Sequence, residues 1–77
     1  VAQAVILFTG DFEPDAFGAF VQHRAARLDL AAAVLDSAPH RFRVAVSGAP
    51  EMIDAFEMAC SLGPLSCLVR DVTRSVA

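Results

Sequence analysis

The stretch that decides the fold is AVILFTGDFEPDAFGAFVQHRAARL, Ala4 to Leu28. Its first part belongs to an apolar, β-branched run, Val1–Thr9, that stops at Gly10, the pattern of a strand buried on at least one face. Gly10–Ala16 then holds one Gly, one Pro and three acidic residues, which reads as a loop. From Phe17 the apolar period changes. Phe17, Phe20, Val21, Ala25 and Leu28 recur at helical spacing, with Gln22, His23, Arg24 and Arg27 between them, so an amphipathic helix is expected from Asp15 or Ala16 to Leu28. Asp15 is the expected N-cap.

Downstream, the signals repeat in a different order. Ala31–Asp36 reads as a strand and Ser37–Arg41, marked by Pro39, as a turn. Phe42–Ser47 alternates apolar and polar positions, which predicts a half-buried strand paired with its predecessor as a hairpin. Ser47-Gly48-Ala49-Pro50-Glu51 is a helix start, with Pro and Glu in the first turn. Met52, Ile53, Phe56, Ala59 and Cys60 form the expected buried stripe, and Gly63-Pro64 ends the helix. Ser66–Val76 reads as a last strand. The order is β-α-β-β-α-β, which predicts one α+β domain over residues 1–77. The expected architecture is a ferredoxin-like sandwich, an antiparallel sheet with two helices on one face.

The totals agree with a single small domain. Of 77 residues, 56% are hydrophobic and 19% charged, too apolar for a disordered tail. The net charge is −3 and there is no Lys, which argues against a nucleic-acid platform. Phe17-Gly18-Ala19-Phe20-Val21 echoes an aromatic RNA-binding signature, but it falls on a helix rather than a strand. No apolar run reaches the ~18–20 residues of a membrane span, so neither nucleic acid nor membrane is expected as a partner, and a cytoplasmic setting is. Cys60 and Cys67 make no disulfide framework and no familiar zinc spacing, and read as two buried small apolar residues.

Several pieces share a register with one known family. Gly10 to Phe17, Phe20-Val21-Gln22, Ala26-Arg27-Leu28, Leu30, Val34, Phe42-x-Val44, Gly48, Phe56, Gly63-Pro64 and Val69-x-Asp71-Val72 together resemble an acylphosphatase, from about Ile6 to Val76. The resemblance implies a phosphate-cradling loop at Gly10, Asp11, Phe12, Glu13, Pro14, Asp15 and Ala16, and a carboxyl-phosphate bond as the scissile one. It also implies an Arg where this chain has Gly18, and a water-positioning Asn where it has Asp36. Pro14 stands where the family loop has a central Gly, and it has no N–H to offer an anion. Three acidic residues further oppose phosphate. An acylphosphatase-like domain without catalysis is therefore expected, with a binding or structural role and no cofactor. An active acylphosphatase with an altered site and a regulatory partner-binding domain remain the alternatives.

Two further surfaces follow from the pattern. Asp11-x-Glu13-x-Asp15 opens like a calcium loop, but Ala16 and Gln22 occupy the positions of the obligatory Gly and Glu. If Asp36 lies beside it, four carboxylates converge; otherwise the loop is a solvated acidic one, and no metal is assigned. If Ile6 and Phe8 face the helices, Val5 and Leu7 face outward, with Leu35, Ala33 and Ala45 near them. That open sheet face is a candidate interface for a second copy or a larger protein, unless Arg43 and its neighbours cover it.

Overall fold

Alternation along Ala2–Asp11 builds β1: Ala4, Ile6 and Phe8 are buried, while Val5 and Leu7 are half-buried on the opposite side. In the computed structural model, which describes residues 1–76 with the side chain of Val76 set aside, five further elements follow. They are α1 (Pro14–Arg27), β2 (Ala31–Ser37), β3 (Arg41–Gly48), α2 (Pro50–Leu62) and β4 (Leu68–Val76). The sheet order is β2-β3-β1-β4, with every neighbouring pair antiparallel. This is the expected βαββαβ sandwich.

Each helix buries one stripe on the same face of the sheet. Phe17, Val21 and Ala25 of α1 and Ile53, Phe56 and Cys60 of α2 join Ile6, Phe8, Phe42, Val44 and Val46 in one core. The spacings i, i+4, i+8 and i, i+3, i+7 are what a narrow buried face requires. Met52, expected in the stripe, is instead 37% exposed. Its place one residue before Ile53 turns it about 100° away from the buried line.

Both helices begin with Pro at the first position, where the missing N–H is no loss. Asp15 is therefore not the N-cap. Glu13 holds that position without a side-chain cap hydrogen bond, and Asp15 sits inside the first turn, where its charge suits the dipole. Arg24 and Arg27 complement the other end of α1. Gly63 stops α2 at φ 66°, a conformation that favours glycine.

Strand limits differ slightly from the pattern: β1 continues to Asp11 and β4 begins at Leu68. Gly10 explains the first. A Cβ there would lie 2.0 Å from the Leu68 carbonyl oxygen, so only glycine lets β4 run this close past the end of β1. Arg74 of β4 meets Asp54 at 2.8 Å and Glu57 at 2.9 Å on α2. Among the described residues no helix is long and apolar enough to cross a membrane.

Candidate functional site

The predicted loop is shorter than its sequence suggests. Gly10 and Asp11 finish β1, and Pro14, Asp15 and Ala16 begin α1, leaving only Phe12 and Glu13 between the elements. Phe12 turns inward and is 7% exposed. Its ring lies 4.6 Å from that of Phe17 and 5.7 Å from that of Phe42. Phe17 is the hub: it also meets Phe42 at 4.9 Å, Phe8 at 5.5 Å and Phe20 at 6.4 Å. An aromatic cluster thus fills the space beneath the connection.

Backbone donors are what a phosphate cradle uses, and here most are engaged within the chain. The Gly10 N–H donates to the His40 carbonyl at 3.2 Å and the Phe12 N–H to the Pro39 carbonyl at 2.7 Å, both in the turn between β2 and β3. These two bonds continue the β1–β3 ladder past Thr9 and Arg41. The Glu13 N–H points to Cys67 Sγ at 3.4 Å, and Pro14 has none. Asp15 and Ala16 keep the unpaired donors of a helix start, beside the exposed side chains of Glu13 and Asp15.

The carboxylates do not converge. Asp11 pairs with Arg70 and lies 3.4 Å from His40 Nδ1. Asp36 pairs with Arg41 at 2.7 Å. Opposite charges draw each carboxylate to its own partner, and among the described residues no three His, Cys, Asp or Glu side chains gather in a metal-binding group. The two histidines are exposed, as their places in the pattern suggest.

Gly18 lies in α1 beside Phe42, whose register partner Ser37 follows Asp36. The two positions the resemblance singles out therefore sit at one end of the sheet. A Cβ at Gly18 would meet only Phe42 Cζ, at 3.8 Å, an ordinary contact. No close approach within the chain requires glycine there. Gly18→Ala is expected to raise stability by about 0.5–1 kcal/mol, because alanine is the better helix residue and narrows the unfolded ensemble. Urea unfolding measures this; a loss of stability would show that the space beside Phe42 is closed.

The cysteines behave differently. Burial pushes the Cys60 thiol up to about 12, against a smaller opposing effect of Arg24, so it remains a protonated, apolar core group. Cys67, expected to be buried, is only half-buried, with its sulfur against the Glu13 backbone at the connection. Sequence reasoning missed Arg41, Arg70, His40 and Cys67 as neighbours of this site. No spacing links Arg70 to Asp11, which lies 59 residues away.

No protein-family model matches the chain, and no curated protein matches it either. Solved structures do. An acylphosphatase from Bacillus subtilis superposes with a TM-score of 0.90 at 23% identity, covering 100% of this chain and 86% of that one. An acylphosphatase from Coxiella burnetii gives a TM-score of 0.89 at 17% identity, covering 99% and 80%. The likeness spans every strand and helix described above, and in fold this chain is an acylphosphatase-like domain.

Proposed function

We propose that this acylphosphatase-like domain does not hydrolyse acyl phosphates and has a binding or structural role instead. The observation that carries the reading is the internal use of the connection's amides: Gly10 and Phe12 donate to the β2–β3 turn and Glu13 to Cys67. Phe12 fills the space below with carbon rather than with donors. Gly18 supplies no cation where the resemblance implies an arginine, and the Asp36 carboxylate is held by Arg41. Asp11, Glu13 and Asp15 add negative charge where an anion would have to sit. A carboxylate ~4 Å from a phosphate charge opposes it by roughly 4 kcal/mol at an effective dielectric of ~20. The two free thiols fit a reducing compartment such as the cytoplasm.

Inorganic phosphate is the simplest probe. Amide resonances of Gly10, Phe12 and Glu13 are expected to stay in place as phosphate is added to about 10 mM, corresponding to binding weaker than about −3 kcal/mol. Saturable shifts at these amides below that concentration would show a working cradle.

A further inference from the structure

The open face of the sheet carries two opposite charges that the chain leaves unmatched. Register pairing sets Arg43 of β3 between Leu7 of β1 and Asp36 of β2, and Asp71 of β4 beside Thr9. Residues paired across a ladder point to the same side. Leu7 and Thr9 alternate with the buried Ile6 and Phe8, so Arg43 and Asp71 both stand on the open face, one to each side of β1. Neither has an ion-pair partner among the described residues, because the Asp36 carboxylate beside Arg43 is held by Arg41. Asp71 accepts only the N–H of its own neighbour Val72, at 3.0 Å. Leu7 and Thr9 lie between the two charges, and Val5 follows Leu7 on the same face; Val5 and Leu7 are half-buried by their neighbours. Ala31, Ala33 and Ala45 form a shallow depression of about 340 Å³ with Gln3 and Ser47, and Leu35 is 50% exposed on the edge strand.

We propose that this face binds a second copy of the chain. A two-fold axis along β1 stacks Val5 and Leu7 on the same residues of the other copy. It carries Arg43 over the partner's β4, offset by two residues from the partner's Asp71. That offset is about 7 Å along the strands, which an extended arginine spans. Symmetry makes the pair twice, Arg43 to the partner's Asp71 and Asp71 to the partner's Arg43, as an isologous contact requires. The small side chains of the depression let two sheets approach without ridges. The size is in range as well: the molecule measures 31 × 22 × 17 Å, and the outline of its broad face, roughly 700 Å², falls within the ~600–1,000 Å² per partner of a standard interface. The other arginines of the sheet, Arg41, Arg70 and Arg74, already hold Asp36, Asp11, Asp54 and Glu57. The assignment stands whether or not the connection between β1 and α1 hydrolyses anything.

Charge reversal tests it by sedimentation equilibrium. The unaltered chain is expected to be dimeric at about 100 μM, at the weak end for interfaces of this size. Arg43→Asp and Asp71→Arg each place like charges opposite each other and are expected to weaken the dimer at least about tenfold. Mixing the two variants restores both pairs, so the mixture is expected to form a heterodimer, and the double variant a homodimer. Leu62→Lys, on the exposed apolar side of α2, is expected to leave the dimer intact. A monomeric unaltered chain at 100 μM overturns the proposal. So does a dimer indifferent to both reversals, a mixture that fails to associate, or a dimer lost through Leu62→Lys.

Discussion

Phe17→Ala is expected to lower stability by about 3–5 kcal/mol, the range for truncating a fully buried phenylalanine. Phe17 has no exposed surface and four ring neighbours, from 4.6 Å to 6.4 Å. The methyl left behind cannot fill the space between β1, β3 and the β1–α1 connection, so the loss of burial is joined by a cavity. Edge-to-face contacts with Phe8 and Phe42 add about 0.5–1.5 kcal/mol per pair beyond area. A 77-residue chain has roughly 4–11 kcal/mol in total, so the variant loses a large share and sits close to unfolding. Phe20→Ala is the comparison. That ring is half-buried, stacks on Phe17 at 6.4 Å and lies 5.1 Å from the Arg24 guanidinium carbon. Its removal is expected to cost about 1–2 kcal/mol, since only part of the side chain leaves an apolar site. Urea unfolding of both, at one protein concentration, decides. Equal losses would mean that Phe17 is not the hub of the cluster.

The sandwich was legible because its signals are periodic. Ile6 and Phe8 against Val5 and Leu7, and Phe42, Val44 and Val46 against Arg43 and Ala45, display the period of two that a sheet with one helix-covered face imposes. Phe17, Val21 and Ala25 display the helical period equally well. On α2 the stripe is less clear, because Met52, Met58 and Leu62 are exposed apolar residues. Hydrophobicity on several sides of a helix hides which side is buried, and Met52 was misplaced for that reason.

The connection between β1 and α1 was less legible, and its chemistry explains why. Phe12 stands among acidic residues and proline, where no periodicity marks a side chain as core, yet Phe17 and Phe42 enclose it. The amide partners of Gly10 and Phe12 come from the β2–β3 turn, and that of Glu13 from Cys67, 54 residues away. The ion pairs Asp11–Arg70 and Asp36–Arg41 depend on strand register, which composition does not reveal. Gly18 and Asp36, by contrast, were identified by resemblance alone. The fold brings both to one end of the sheet, where the resemblance implies an arginine and an asparagine.

The largest expected effect is on rate. An arginine acting on a transferring phosphoryl group contributes about 10³–10⁵, and a transition-state hydrogen-bond donor about 10²–10³. Gly18 provides neither the charge nor the donors of an arginine. Asp36 provides a carboxylate in place of an amide, and Arg41 already holds it at 2.7 Å. Introducing the arginine and asparagine that the resemblance implies does not free the amides of Gly10, Phe12 and Glu13 or give Pro14 an N–H. Gly18→Arg with Asp36→Asn is therefore expected to gain little. The most direct measurement is the hydrolysis of benzoyl phosphate by the unaltered chain and by that double variant, beside an acylphosphatase of the same fold. The unaltered chain is predicted to turn over at least about 10³-fold more slowly than that enzyme, with the double variant remaining within about tenfold of it. Turnover by the unaltered chain within about tenfold of the enzyme, or recovery to that level in the double variant, would contradict a sealed cradle.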